Sequence, residues 1–403
     1  VDAVSGGVWT VNIGYGRKRM GEAISDAVTK MCFFGGTMGT IPGATFADML
    51  IDKMPGLDRV YYANSGSEAN EKAFKMVRQI SHKHHGGKKS KILFRERDYH
   101  GTTIATLSAG GQEERNAQYG PFTPGFVAVP HCLEYRSQDG STGEAYTAAS
   151  LKAIEDVILR EGADTIGSLC LEPITAGGGI IVPPVGYWDG VQELCKKYEI
   201  LLHIDEVVCG VGRTGTWFGY QQFDVKPDIV TMAKGVASGY AAISCCVTTN
   251  AVFDQFTDDT DRMGFFRDIS TFGGCTAGPA AAIENMKIIE EEDLRGNSTR
   301  TGEHLQNNLK ALMEKHKWIG DVRGMGLFAG AELVADRDSK APVDHKMVPA
   351  IVSNLIHTRA IGASTPNTPT TCTTTLLCGP VPIALPAHPA TPTPPNPPPP
   401  PPP

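Results

Sequence analysis

Four short segments carry residue types able to do chemistry, and each sits where a buried strand would end. Asn64-Ser65-Gly66-Ser67-Glu68 follows the apolar run Val60–Ala63 and precedes a helical period. A Gly-Ser turn opening a helix presents free backbone N–H groups at a positive dipole end, which suits an anion such as phosphate. Asp205-Glu206 closes the run Ile200–Ile204, which puts a carboxylate at the carboxyl end of a strand, the side on which α/β sheets bind ligands. Lys234-Gly235 follows Asp228–Ala233; desolvation there lowers a lysine's pKa and frees its amine as a nucleophile. Asp98-Tyr99-His100-Gly101 follows Lys91–Phe94 and brings a flat aromatic to the same sheet edge. Each segment alone also has an ordinary reading. These are an N-cap with Ser67 capping and Glu71 in the first turn, a salt-bridged carboxylate, a snorkelling lysine and a core tyrosine. Together the four supply what a phosphorylated pyridine aldehyde requires: an amine for a Schiff base, a carboxylate for the ring nitrogen, an aromatic to stack, and a phosphate cup.

The elements that must position these groups are legible as alternating patterns. The apolar runs are Val60–Ala63, Lys91–Phe94, Gly125–Pro130, Ile166–Pro173, Ile200–Val207, Asp228–Ala233 and Ile243–Thr248. Between them, Ala69, Ala73, Met76, Val77 and Ile80 fall at helical spacing, as do Leu151, Ile154, Val157 and Ile158, then Trp188, Val191, Leu194 and Cys195. Runs that are apolar throughout fit strands covered on both faces, and strands alternating with helices predict an α/β domain with a mainly parallel sheet. From about Glu291 a long polar helix (Asn297–Lys317), one strand (Met325–Leu333) and a further helix (His345–Thr358) are expected as a smaller α+β domain. The expected division is 1–50 as an N-terminal segment of the small domain, 51–290 as the large domain, 291–360 as the small domain, and 361–403 as a tail.

Composition narrows the function classes. The net charge of −7 and pI of about 5.9 lack the basic field that nucleic-acid binding needs. The one dense basic stretch, His82–Lys91, reads as a solvated loop rather than a nucleic-acid patch or a metal site. No run of 18 apolar residues offers a membrane span, and the start VDAVSGGVWT has neither part of a signal peptide. Without an initiator Met, the chain is expected to begin inside a longer protein. Ten cysteines without a CxxC pair, several inside apolar runs (Cys170, Cys245, Cys246), indicate free thiols in a reducing compartment, so a cytoplasmic protein is expected. Sixteen of the 28 prolines fall in Ile361–Pro403, which holds no Asp, Glu, Lys or Arg. So abrupt a loss of charge, where a domain still needs a closing strand and helix, favours a frameshifted or misassigned stretch over a polyproline extension.

Gly210-Val-Gly212-Arg-Thr-Gly215 matches a dinucleotide fingerprint, but TWFGYQQFDVKP follows where a helix is required, and Asp228 precedes its strand. The segments NSGSEANEKAFK, DYHGTT, LEPITAGGGIIVPPVGYW, LLHIDEVVCGVGRTGTWFGYQ, PDIVTMAKGVASGY and STFGGCTAGPAA instead resemble the class III (ω-amino acid) aminotransferases. That family uses pyridoxal 5′-phosphate (PLP) and has the fold type I architecture of aspartate aminotransferase. The resemblance runs from about Val8 to Leu333. It implies that Lys234 forms the Schiff base and moves the proton, that Asp205 pairs with the pyridine nitrogen, and that Tyr99 and Val207 take the two ring faces. It assigns the phosphate to Ser65, Gly66 and Ser67, with Thr271 from a neighbouring subunit, and puts Glu172 and His100 near the ring. Arg213 would be structural. A homodimer or a dimer of dimers follows, with Gly177–Gly179 and Gly273–Gly274 marking close approach at the interface or loop flexibility. The family grips the substrate acid with an arginine late in the small domain; here the last arginine is Arg359. The details FRDISTFGG, VVCGVGRTG and GVASGYA most resemble the branch that moves the amino group of taurine to pyruvate in a ping-pong cycle. The alternatives are other ω-amines or β-alanine as donor, or a PLP mutase or racemase.

Overall fold

The computed structural model describes residues 6–35, 39–257, 263–344 and 373–374. Its centre is a seven-stranded sheet built from β1 (Arg59–Ala63), β2 (Lys91–Arg95), β3 (Phe126–Val129), β4 (Ile166–Leu171), β5 (Leu201–Asp205), β6 (Ile229–Met232) and β7 (Ser244–Thr248). Their order across the sheet is β1-β7-β6-β5-β4-β2-β3. The contacts joining β2, β3, β4, β5 and β6 are parallel, while β7 runs antiparallel to both of its neighbours. All seven apolar runs are therefore strands, and the fold is the mainly parallel α/β arrangement expected.

The strand residues divide between two apolar layers. Leu93, Leu169, Leu171, Val230 and Cys245 face one layer, with Ile154, Trp188 and Val191. Ile92, Cys170, Ile229 and Cys246 face the other, with Ala73, Phe74, Met76 and Val77. Neighbours in sequence point to opposite layers, as the two-residue pleat demands. Burying each aliphatic side chain contributes about 1.5–3 kcal/mol, which keeps the inner strands apolar on both faces. The second layer is covered by the Gly66–His85 helix, which starts at the N-cap Ser65 and stops at Gly86 in a left-handed conformation (φ 58°). His82–His85 thus form the last helical turn rather than a loop, where positive charge suits the carboxyl end of the dipole.

Toward the carboxyl end, the Leu294–Lys315 helix packs on a hairpin of β8 (Ile319–Met325) and β9 (Phe328–Asp336). One strand was expected here and two are present. Gly326, at φ 57°, sits in the turn between them and breaks the apolar stretch, and the half-buried, polar β8 gives no strong strand pattern. Two short strands, β10 (Ala341–Pro342) and β11 (Thr373–Thr374), pair antiparallel with β9. The helix expected at His345–Thr358, Arg359 and the rest of the 361–403 tail lie outside the described residues. Near the amino end, the Lys18–Lys30 helix lies on the Ala277–Glu291 helix. Arg17 makes a two-pronged ion pair with Glu292, and Arg19 pairs with Glu284 and Glu291.

Candidate active site

Because β1, β2, β4, β5 and β6 run the same way, their carboxyl ends share one edge of the sheet. The reversed β7 brings its amino end there too. The segments after these strands line a cleft of about 470 Å³, in the range of small-molecule pockets. Of the ten residues singled out in the sequence, Ser65, Gly66, Ser67, Tyr99, His100, Asp205, Val207 and Lys234 line it. Ala241–Ile243, ahead of β7, close one side. Glu172 and Thr271 are elsewhere.

Asp205 lies at the buried end of β5. Its Oδ2 accepts hydrogen bonds from His100 Nδ1 (2.8 Å) and Asn70 Nδ2 (2.8 Å), and its Oδ1 accepts from the Val207 N–H (3.0 Å). Burial alone would raise its pKa; His100, the Val207 amide and Asn70 outweigh that and hold it below the usual carboxylate range. The carboxylate therefore stays charged in an apolar setting and needs a cationic or protonated neighbour on its open side.

Lys234 follows β6 in a tight turn at φ 45°, a left-handed backbone that residues with side chains seldom adopt. Gly235 packs so closely on Asn12 that a Cβ there would collide with the amide, which explains the Lys-Gly pair. Burial drives the Lys234 pKa down; Asp205 and Glu172 oppose this, and Arg213 and Arg115 add to it. Its Nζ makes no hydrogen bond or ion pair with a described residue. An amine so placed is available as a nucleophile or a base.

The Ser-Gly-Ser turn opens the Gly66–His85 helix, and the cap is Ser65, whose Oγ accepts from the Glu68 N–H (3.2 Å), rather than Ser67. Ser67 Oγ instead accepts from the Thr102 N–H (3.0 Å), which joins this turn to the one after β2. Gly66 is obligatory here: a Cβ would lie 2.9 Å from Val207 Cγ2. The turn, the open side of Val207 and the Tyr99 ring form a cradle with amide donors at one end and a carboxylate at the other.

Glu172 sits behind this wall. Its carboxyl oxygens accept from the backbone N–H groups of Tyr99 and Ala176 (both 3.0 Å), so it fixes the Tyr99 backbone. Burial, with the charges of Asp98 and Asp205, pushes its pKa well up. Thr271 is exposed at the start of a short turn, outside its own chain's cleft. The neighbouring glycines make close contacts inside the chain. Gly273 packs on the Tyr62 carbonyl, Gly274 on that of Phe34, Gly177 on Gln112 and Gly178 on Arg97. Arg213 is buried, donating to Asn12 Oδ1 (2.5 Å).

One network was missed. Asn70 Nδ2 binds both the His100 carbonyl (2.7 Å) and Asp205, and its Oδ1 accepts from Thr231 Oγ1 (2.6 Å). Thr231 Oγ1 in turn lies 3.0 Å from His203 Nε2. With the Thr231 hydroxyl spent on Asn70, His203 must donate through Nε2–H, which fixes a neutral tautomer. The available signal was a polar residue on the buried face of a helix, since Asn70 shares the spacing of Phe74, Val77 and Ser81. Burial brings the His203 pKa down to about 3. Unfolded, His203 would take up a proton below about pH 6.5; folded, it does not. Its contribution to stability is therefore intact above pH 6.5 and is lost progressively as pH falls toward 3. Denaturant melts at pH 7.5 and 5 should show this loss, and a smaller pH slope in His203→Gln.

Comparison with known proteins gives the family. The Aminotransferase class-III family model matches residues 1–368, so the chain belongs to the class III aminotransferases. It is 66% identical over 357 residues to the hypotaurine/taurine–pyruvate aminotransferase of Paracoccus denitrificans, covering 88% of this chain and 77% of that one. It is 61% identical over 389 residues to the taurine–pyruvate aminotransferase of Rhodobacter capsulatus, covering 96% and 84%. Among solved structures, a Bacillus anthracis aminotransferase superposes with a TM-score of 0.89 at 34% identity, covering 95% of this chain and 89% of that one. An amine transaminase from an uncultivated Pseudomonas species, solved in its PLP-bound form, superposes with a TM-score of 0.87 at 29% identity, covering 93% and 85%. The protein is a PLP-dependent transaminase. The donor set suits that cofactor, because a charged buried carboxylate, an unpaired desolvated amine and an amide-lined turn match its three functional ends.

Proposed function

We propose that this aminotransferase moves the amino group of taurine to pyruvate, yielding sulfoacetaldehyde and alanine. One observation carries the chemistry: the unpaired Lys234 amine and the charged Asp205 carboxylate share one cleft with the Ser65–Ser67 turn. The choice of donor is supported by relatives 66%, 61% and 59% identical, named as taurine–pyruvate aminotransferases, the first also for hypotaurine.

When bound, PLP supplies an electron sink and an amino carrier. Ser65, Gly66 and Ser67 would hold its phosphate, Tyr99 and Val207 would flank its ring, and Asp205 would keep its nitrogen protonated. Lys234 Nζ would anchor it and, once released, take the proton from the amine-bearing carbon of the donor. The lowered pKa leaves more of that amine as free base near neutral pH. Glu172 and His100 act from behind, on the Tyr99 backbone and on Asp205.

A homodimer completes the site in this reading, with Thr271 reaching the partner's cleft. Ile269 (87% exposed) and Phe272 (65% exposed) beside it, and Phe33 and Phe34 held against the same turn, form an apolar surface suited to burial. The eight described cysteines are free thiols, and no helix among the described residues is long and apolar enough to cross a membrane. We place the enzyme in the cytoplasm.

The test is a half-reaction. The PLP-loaded enzyme, mixed with taurine and no acceptor, should release about one sulfoacetaldehyde per site, and added pyruvate should then give alanine. Release from β-alanine but not from taurine would replace the donor. Failure to form alanine after that release would replace pyruvate as the acceptor.

A further inference from the structure

A donor such as taurine carries an acid group that stays anionic at physiological pH, and a transaminase must hold that group while its amine reacts. Among the described residues, two guanidinium groups have fields that reach Lys234, those of Arg213 and Arg115. Arg213 is buried and committed to Asn12. Arg115 is exposed, on the Glu113–Asn116 turn beside the cleft, with its guanidinium carbon 4.9 Å from the centre of the Tyr99 ring.

The geometry of Arg115 is fixed from one side only. Its Nε donates to Gln112 Oε1 (2.6 Å). Gln112 is itself buried, with its Nε2 donating to the Arg97 carbonyl (3.0 Å). Gly177 lies so close that a Cβ there would come within 2.9 Å of Gln112 Nε2. Gln112 is thus a rigid post, and the Tyr99 face holds the plane of the guanidinium through a cation–π contact. The two terminal Nη groups have no partner among the described residues. A planar fork held at its stem with both prongs free is a two-donor receptor for a sulfonate or carboxylate.

We infer that Arg115 is a further cation that contacts the acid group of the amino donor, at the wall formed by Tyr99. This rests on the reading of the cleft as the transamination site and deepens it by naming a specificity-determining cation. It also accounts for the stretch GGQEERN after β2, which puts Gln112 and Arg115 three residues apart on one turn.

The experiment compares wild type, Arg115→Ala and Arg115→Lys as PLP-loaded enzymes, with taurine and with n-propylamine, an amine without an acid group. The ratio of kcat/KM for taurine over propylamine should fall about 10- to 100-fold in Arg115→Ala, mainly through KM, and less in Arg115→Lys, which keeps charge without the fork. Binding of 2-hydroxyethanesulfonate, a sulfonate without an amine, should weaken in parallel by calorimetry. A merely structural role for Arg115, as a prop for Tyr99, would lower both substrates alike. A ratio changed less than threefold, with sulfonate binding intact, overturns the inference while leaving the taurine reading standing. If wild type uses β-alanine and not taurine, the donor reading fails, and the β-alanine ratio then decides the role of Arg115.

Discussion

Lys234→Ala should lose transamination by at least about 10³-fold in kcat, the combined effect of removing an anchoring nucleophile and the proton carrier. The folded protein should survive, because Nζ makes no hydrogen bond or ion pair with a described residue and removing it leaves no buried partner unsatisfied. The left-handed backbone at φ 45° also accepts the smaller side chain no worse than lysine. Cofactor should still bind, more weakly, through the Ser65–Ser67 turn and Asp205. Added small primary amines should restore part of the rate, since they supply a free base where Lys234 Nζ stood. A variant retaining more than about a hundredth of the wild-type rate would show that another group moves the proton.

Asp205→Asn separates charge from shape. The amide keeps the volume but removes the negative charge that three donors hold in place. One end of the amide must also turn its own N–H groups toward a donor, either the Val207 N–H or the pair from His100 and Asn70. Leaving such a buried donor unpaired costs about 1–3 kcal/mol. Catalysis should fall further, by about 10²–10³ in kcat/KM, because a preorganised charge in an apolar site is worth more than one in water. Equilibrium unfolding and steady-state rates on the same preparation distinguish the two effects. A rate within tenfold of wild type, with stability reduced, would make Asp205 structural.

Much of this site was readable from local sequence. Parallel strands place their carboxyl ends together, so Asn64–Glu68, Asp98–Gly101, Asp205 and Lys234 were legible as one edge once the strands were recognised. What escaped were contacts between residues far apart in the chain. Asn70 meets Asp205 across 135 residues and Thr231 across 161, and no local pattern announces such a pairing. The hydrogen bonds of Glu172 fall on a backbone 73 and four residues away, so its position behind Tyr99 was not visible either. Gly177, Gly178, Gly273 and Gly274 each lie against the chain's own backbone or side chains, contacts that no local pattern announces. The strand expected at Met325–Leu333 corresponds to β9, while β8 has no strand pattern in the sequence because its half-buried residues lack apolar alternation.

In this site Lys234 is the amine that would hold the cofactor's carbonyl carbon. Borohydride fixes a carbonyl cofactor to the amine that holds it, and peptide mass spectrometry then locates the label. Applied to the PLP-loaded enzyme, this should find one modified residue, Lys234, and none in Lys234→Ala. A label on another lysine, or none in the wild-type enzyme, would take that role away from Lys234.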